Sequence, residues 1–212
     1  FFIDDKHIGS YNKNQMHELQ GKISMEMTSF FYNKKEEDWI GVFHGSTLNK
    51  GNKSIMLTGE SGSGKSSLTL ILSSNGFSLI ADDFSPISNE MKHYKFPGAI
   101  SVKKGFYSYA NNLSKDFIKK EEYLVDKNKG KFKYFSLDID NKSNSHNCNC
   151  IIDVKYGKHL KNNISMSTKG KALQKLLPES WISETYNNSK KFYQWIHNSN
   201  FYELTYNDNK KA

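Results

Sequence analysis

Residues 59–66 read Gly-Glu-Ser-Gly-Ser-Gly-Lys-Ser, a full match to the Walker A pattern G-x-x-x-x-G-K-[ST]. In such a loop, backbone N–H groups cradle phosphate oxygens, the lysine neutralises their charge and the last hydroxyl reaches Mg²⁺. Residues 53–58 predict a short buried strand before the loop, and residues 67–72 predict the start of an apolar helix after it. This order aims the positive N-terminus of the helix at the phosphates. We therefore predict nucleotide contacts from Gly59, Glu60, Ser61, Gly62, Ser63, Gly64, Lys65, Ser66 and Ser67.

Two neighbouring carboxylates, Asp82 and Asp83, follow the next predicted strand at residues 77–81. They lie 17 and 18 residues after Lys65, which is earlier than the Mg²⁺-linked aspartate of common P-loop ATPases and GTPases. At the carboxyl end of a strand beside the loop, one carboxylate can hold Mg²⁺ with Ser66 while the other faces an acceptor. The alternative interpretation is that the two aspartates only cap the turn that follows them.

The basic residues of this 212-residue chain are all lysines, 30 in number, and no arginine occurs. An arginine finger in cis and a bidentate guanidinium clamp are therefore excluded. Lysine, Mg²⁺, backbone amides or a neighbouring molecule must stabilise any charge that develops in a reaction. The net charge of +8 comes from scattered lysines without a nucleic-acid-binding motif, so we expect no nucleic-acid partner.

Hydropathy and cysteine content bear on the compartment. No apolar run approaches the roughly 18 residues of a membrane span, and we expect neither a membrane partner nor a signal peptide. Cys148 and Cys150 are too close for an ordinary disulfide, which suits a reducing, cytoplasmic location. His146 and the two cysteines could supply three metal ligands, but their spacing fits no structural zinc pattern. A solvated loop that enters a strand is the preferred interpretation of residues 146–150.

Strands and helices are predicted on both sides of the loop. Short alternating runs such as residues 22–27 predict that residues 1–39 form a β-rich N-terminal part. We expect one catalytic domain over residues 1–212, with its core at residues 40–210. The other predicted elements are an antiparallel hairpin of residues 39–48 with 53–58, a helix that ends near Ser74, a hairpin of residues 84–88 with 94–97, a weak helix over 106–122, helices over 167–177 and 180–197 separated by Pro178, and a strand over 201–206.

Three pieces of the sequence resemble the catalytic domain of the HPr kinases and its shorter relatives: His44-Gly45, residues 57–66 and residues 75–83. Weaker similarity to the short relatives, which occur with peptide-modifying gene sets, continues at residues 96–103, 151–157 and 202–206. The fold of that family is shared with ATP-dependent phosphoenolpyruvate carboxykinase. The resemblance therefore implies an α/β P-loop kinase with a mixed β-sheet, and it leaves residues 1–39 unmatched.

The resemblance also implies roles for four side chains. Asp82 resembles the general base that accepts the proton of the acceptor hydroxyl, and Asp83 with Ser66 resembles the Mg²⁺ site. His44 is expected beside Asp82, where it could orient the carboxylate or donate to a phosphoryl oxygen. Taken alone, a histidine on a strand is more often structural.

Two further residues, Lys103 and Lys155, fall where the relatives carry basic residues that could contact phosphate. The alternative is that each is an ordinary surface lysine. Two features of the HPr kinases are missing, namely the arginine-containing segment after the acidic pair and the separate N-terminal domain. HPr itself is therefore not the expected substrate, and because the family often assembles, a homo-oligomer is an expectation.

The function predicted from these features is transfer of the γ-phosphoryl group of ATP, with Mg²⁺, to a hydroxyl. The expected acceptor is Ser or Thr in a peptide or small protein, as in the modification of peptide natural products. One alternative is a kinase for a small hydroxy compound. Another is a nucleotide-binding regulator without turnover, although such a module has no need of a base. Slow uncoupled ATP hydrolysis also stays open.

Overall fold

The computed structural model describes residues 1–96, 98–124, 130–136 and 143–208. Its fold is mixed α/β, and it divides into two compact units, Phe1–Asp38 and Trp39–Ala212. The division falls one residue from the boundary drawn at residue 39 on the sequence. The assignment of the whole chain to one catalytic domain stays a prediction. None of the helices in the described ranges has the length and apolar character needed to cross a membrane.

The first unit is built on helix α1 (Met16–Tyr32), preceded by the short antiparallel strands β1 (Phe2–Ile3) and β2 (Lys6–His7). The prediction of a β-rich N-terminal part, with a strand at residues 22–27, is therefore wrong. A short alternation also places residues four positions apart, such as Ile23 and Met27, on one face of a helix, so the pattern is compatible with both structures and the chain is helical here. Lys22 and Glu26 form such a pair at 3.2 Å. The helix ends at Tyr32, and the next residue, Asn33, has a left-handed conformation and donates its backbone N–H to the carbonyls of Ser29 and Phe30.

The second unit carries the phosphate-loop motif and most of the regular structure. Its helices are α2 (Lys65–Ser74), α3 (Tyr107–Leu113), α4 (Lys169–Leu176) and α5 (Tyr186–Asn198). Its strands are β3 (Trp39–Phe43), β4 (Ser46–Lys50), β5 (Lys53–Thr58), β6 (Ser78–Ala81), β7 (Ser85–Ser88), β8 (Lys92–Tyr94), β9 (Ile100–Lys103), β10 (Tyr123–Leu124), β11 (Lys131–Phe135), β12 (Ser145–Asn147), β13 (Cys150–Tyr156), β14 (Asn163–Met166), β15 (Ser180–Ile182) and β16 (Asn200–Tyr206).

A six-stranded sheet positions the loop and the acidic pair. Its order is β14-β16-β13-β5-β4-β6, with β16, β13 and β5 parallel to one another. Strand β4 is antiparallel to both of its neighbours, so β5 and β6 run in the same direction on either side of it. The carboxyl ends of β5 and β6 therefore reach the same edge of the sheet. The mixed sheet is confirmed, and so is the hairpin of β4 with β5.

A second sheet is five-stranded and antiparallel, in the order β12-β8-β7-β3-β15. The predicted strand at residues 39–48 is in fact two strands, β3 in this sheet and β4 in the six-stranded sheet. The break between them lies at His44-Gly45. The predicted hairpin around residues 84–97 is present as β7 and β8. A third sheet has the order β10-β11-β9.

The last helix begins later than residue 180. Residues 180–182 form β15, which pairs with β3, so the predicted helix over residues 180–197 is wrong at its start. Helix α5 begins after Thr185, whose hydroxyl accepts a hydrogen bond from the backbone N–H of Asn188. A side-chain hydrogen bond of this kind marks the residue at which a helix starts. The weak helix predicted over residues 106–122 is likewise limited to α3 and flanking 3₁₀ turns.

Two hydrophobic clusters cover the two faces of the six-stranded sheet. Neighbouring residues of a strand point to opposite faces, and Met56 and Leu57 of β5 accordingly belong to different clusters. The cluster of Leu57 includes side chains of α2 and β9, whereas that of Met56 includes side chains of α4 and α5. The strand that leads into the loop is thus held from both sides.

Residues 146–150 lead into a strand, β13, as expected from the sequence, but they are not a solvated loop. His146 lies in β12, which pairs with β8, and Cys148 is buried with its carbonyl bonded to the indole N–H of Trp195. Burial raises the pKa of the Cys148 thiol to about 12. Within the described ranges, no group of three or more His, Cys, Asp and Glu side chains could hold a metal ion.

Candidate functional site

The loop between β5 and α2 has a backbone that only glycine tolerates at its key positions. The φ angles are +134° at Gly59, +88° at Gly62 and +97° at Gly64, all in the region that L side chains rarely adopt. Space is also short, because a Cβ atom on residue 59 would lie 2.6 Å from the carbonyl oxygen of Val154. The predicted order of strand, loop and helix is confirmed at residues 53–74.

The parallel strands beside β5 hold the loop in place. The backbone N–H of Tyr156, at the end of β13, donates to the carbonyl of Ser63 over 2.8 Å. The hydroxyl of Tyr206, at the end of β16, donates to the carbonyl of Gly64 over 3.2 Å. These bonds occupy carbonyl oxygens of the loop. The hydroxyl of Ser63 is buried and has no hydrogen-bond partner within the described part of the chain.

Substitution of Gly64 by alanine is expected to lower the free energy of unfolding by about 2 kcal/mol or more, because a positive φ is unfavourable for alanine and the new methyl group would collide with the Tyr206 hydroxyl. Gly51→Ala is the matched control, since φ is +61° there but no atom lies within 4 Å. Urea denaturation of both variants measures the difference. Equal losses would show that Tyr206 does not crowd the loop.

Lys65 folds back onto the loop. Its ammonium donates to the carbonyls of Gly59 and Glu60, over 2.5 and 3.4 Å, and its side chain is buried. Hydrogen bonds to neutral carbonyls offset only part of the free-energy cost of burying the ammonium. An anion placed in the loop would offset more of that cost. Together with the N-terminus of α2, this ammonium makes the loop suited to bind phosphate oxygens.

Asp82 is the buried carboxylate of the acidic pair, at the end of β6. Ser46 on β4 donates a hydrogen bond to its Oδ1, while Oδ2 is buried and finds no hydrogen-bond partner in the described ranges. Burial, and then the charge of Asp83, raises the pKa of Asp82 to about 7. The hydrogen bond from Ser46 and the charge of Lys65 act in the opposite direction. Asp82 follows β6 at the same sheet edge where β5 leads into the loop that carries Lys65.

Asp83 differs from its neighbour in both conformation and exposure. Its φ is +59°, and its side chain is half exposed at the same sheet edge as the loop. The Nε2 atom of His44 lies 3.7 Å from its Oδ1 atom. Histidine was expected beside Asp82, but His44 contacts Asp83, and the side chain that holds Asp82 is Ser46. The Mg²⁺ role of Asp83 and Ser66 stays a prediction.

The two predicted lysines differ in their relation to the loop. Lys103, at the end of β9, reaches it, since a Cβ atom on residue 62 would lie 4.0 Å from its Nζ atom. Lys155 is exposed near the end of β13, where the backbone of Tyr156 contacts the loop. The assignment of either lysine to phosphate stays a prediction.

Two contributors to the site, Ser46 and Tyr206, were not found by sequence reasoning. Ser46 follows the matched His44-Gly45 pair by one residue, and a polar side chain in a buried strand is the signal that could have identified it. Tyr206 was placed on a terminal strand, but its contact with the loop joins residues 142 positions apart. No local pattern predicts such a contact.

Comparison with known proteins gives limited support. No protein-family model matches the chain, and no curated protein matches it. Among solved structures, the chain is similar to the HPr(Ser) kinase/phosphatase from Coxiella burnetii, with 15% sequence identity and a TM-score of 0.33. That alignment covers 79% of this chain and 85% of the other. With a score this low, any statement about function has to come from the residues of the site itself.

Proposed function

We propose that this protein is an ATP-dependent kinase that transfers the γ-phosphoryl group to a hydroxyl, specifically a Ser or Thr of a peptide or small protein. One observation carries the proposal: Asp82, a buried aspartate with one carboxylate oxygen lacking a hydrogen-bond partner in the described ranges, follows β6 at the sheet edge where β5 leads into a glycine-rich phosphate loop, and burial there raises its pKa to about 7. A carboxylate with a pKa near the working pH is suited to act as a general base. A module that only binds nucleotide needs no such group.

The loop supplies positioning and charge. Its N–H groups and the Lys65 ammonium would hold the triphosphate, and the carbonyls that now accept from Lys65 would be released when phosphate oxygens take their place. The buried hydroxyl of Ser63 provides one more donor at the loop. Lys103 would add a second positive charge close to Gly62.

Asp82 would act as the general base. Its Oδ2 atom accepts the proton of the acceptor hydroxyl as that oxygen bonds to the γ-phosphorus, and the bond from phosphorus to the β–γ bridging oxygen breaks to leave ADP. Ser46 keeps the carboxylate oriented through Oδ1. Asp83 and Ser66 would hold Mg²⁺, which when bound neutralises the negative charge of the phosphates.

The test is phosphoryl transfer from Mg²⁺-ATP to a panel of Ser- and Thr-containing peptides and free hydroxy compounds. Mass spectrometry detects a gain of about 80 Da for each added phosphoryl group. Transfer to peptides that requires Asp82 would support the proposal. Transfer to free hydroxy compounds alone would instead indicate a small-molecule kinase, and tight binding of ATP with no transfer to any compound would indicate a regulator.

Substitution of Lys65 by alanine is expected to weaken both ATP binding and transfer, with binding about 10- to 100-fold weaker because charge-assisted hydrogen bonds are lost. Isothermal titration with ATP and with a non-hydrolysable analogue measures the binding. Lys190→Ala, which removes an exposed lysine of α5, is the matched control and should bind as the unmodified protein does. Unchanged affinity in Lys65→Ala would contradict the placement of the phosphates in this loop.

A further inference from the structure

The three-stranded sheet β10-β11-β9 has a covered face and an open face. Alternate residues of β9 and β11 point inward and are buried, whereas Ser101, Lys103, Phe132 and Tyr134 point outward. Strand pairing places Phe132 opposite Lys103 and Tyr134 opposite Ser101. The buried positions on the inner face are Ile100, Val102, Lys133 and Phe135.

Three aromatic side chains occupy the open face: Tyr123, Phe132 and Tyr134. Tyr123 pairs with Phe132 across β10 and β11, and the three ring centroids lie 5.0 to 5.9 Å apart. Tyr123 and Tyr134 are each 44% exposed. We call this group the aromatic face. A cluster of exposed rings is a common mark of an interaction surface.

Strand β9 lies between this face and the two parts of the candidate site, which are Asp82 and the phosphate loop. Just before the strand, a Cβ atom on residue 98 would lie 3.5 Å from the carbonyl oxygen of Asp82. At its other end, Lys103 reaches Gly62 of the loop. Residues 98–103 therefore run from the backbone of Asp82 to the proposed phosphate site. Phe132 and Tyr134 lie one strand away, about 5 Å across the sheet.

We propose that the aromatic face is the docking surface for the acceptor, and that the acceptor is an extended peptide whose hydroxyl residue is flanked by an aromatic residue. The inference rests on the proposed kinase function. An acceptor must present its hydroxyl between Asp82 and the loop, and β9 follows that path. An aromatic neighbour of the hydroxyl would then contact Phe132 and Tyr134, because rings pair favourably with rings.

The position of the rings favours the acceptor over the base of the nucleotide. Tyr134 is opposite Ser101, so the aromatic face extends from Lys103 toward the end of β9 that approaches Asp82. A nucleotide base would have to reach the same rings from the phosphate loop while the acceptor approached from another side. Contribution of the rings to nucleotide binding is therefore an outcome that the test must detect.

The experiment uses two pentapeptides with a central serine, one flanked by phenylalanine on both sides and one flanked by alanine. Transfer kinetics with Mg²⁺-ATP are measured for both. In parallel, fluorescence anisotropy measures binding of labelled versions in which alanine replaces the serine, to protein saturated with a non-hydrolysable ATP analogue. We expect the aromatic peptide to be preferred about tenfold in kcat/KM and in binding.

The variant that tests the surface is the double substitution Phe132→Ala and Tyr134→Ala, which changes only the open face. The preference for the aromatic peptide should fall to about twofold or less, through a higher KM for that peptide, while the KM for ATP stays as in the unmodified protein. Tyr134→Phe keeps the ring and should keep the preference. Tyr193→Ala removes an aromatic side chain that is 68% exposed on α5 and is the matched control.

The outcomes separate this inference from the proposed function. Preferential binding of the aromatic peptide without transfer would keep the docking surface and contradict the kinase proposal. Transfer without preference, or a preference that survives the double substitution, would overturn the docking surface and leave the kinase proposal standing. A raised KM for ATP in the double variant would assign the rings to the nucleotide base and would also overturn it. Absence of both binding and transfer would overturn both.

Discussion

Replacement of Asp82 by asparagine is expected to lower the rate of phosphoryl transfer by about 10²- to 10⁴-fold, the usual contribution of a general base, with ATP affinity nearly unchanged. Asparagine keeps the shape of the side chain and can still accept the hydrogen bond from Ser46 through its amide oxygen. It cannot take up the proton of the acceptor hydroxyl. The expected loss is therefore in kcat.

The measurement pairs steady-state transfer with isothermal titration of ATP on the same preparation. Asp116→Asn is the matched control, because its carboxylate is 82% exposed on the surface, and it should transfer at the rate of the unmodified protein. Full transfer in Asp82→Asn would contradict its role as base. A loss of ATP affinity as large as the loss of rate would assign Asp82 to nucleotide binding instead.

The second large effect concerns stability, and its sign follows from the pKa of the same group. The pKa of Asp82 rises from an ordinary value of 3.8 to about 7 on folding, chiefly through burial and then through the charge of Asp83. Between these values the folded protein holds a proton that the unfolded chain has released. The stabilisation is complete below pH 3.8, falls as the pH rises and is lost above about pH 7. One pKa unit corresponds to about 1.4 kcal/mol, so the change amounts to about 4 kcal/mol.

Asparagine does not titrate, so Asp82→Asn is expected to be more stable than the unmodified protein at pH 8, by up to about 4 kcal/mol in the free energy of unfolding. The difference should shrink steadily as the pH falls toward 4. Urea denaturation of the ligand-free proteins at pH 4.5, 6 and 8 measures it, and titrating groups that do not interact with Asp82 cancel because both proteins contain them. Asp116→Asn is the matched control for the loss of an exposed carboxylate. A difference that does not vary with pH would show that Asp82 is not buried as the structure has it.

The two effects oppose each other at one residue. The substitution that removes the proposed base should stabilise the fold, since a carboxylate held in a buried position at neutral pH is unfavourable for stability. A destabilising group is retained in a protein when its chemistry is needed, and sites of this kind are where function and stability conflict.

The parts of the site that sequence analysis could predict are those encoded in short segments. The loop at residues 59–66 requires glycine where φ is positive and requires a strand and a helix on either side, and all of these are present in the residues themselves. Asp82 could be placed at a strand end because residues 77–81 are a clear apolar run. Residues 22–27 were misread as a strand because so short a pattern is compatible with both periods, and only the 17-residue length of α1 settles the choice.

The sequence by itself determined the conformation of the glycine-rich loop and the kinds of side chain available at the site, which are the loop lysine and the acidic pair. Only the tertiary structure decided how these groups behave. It brings Ser46 to Asp82, Tyr206 to Gly64 and Lys103 to Gly62, contacts between residues far apart in the chain. It also buries Asp82 and leaves Asp83 half exposed, so that identical neighbouring side chains differ in environment. The physical reason is that a pKa and a contact depend on which strands lie side by side, and strand order is a property of the whole sheet.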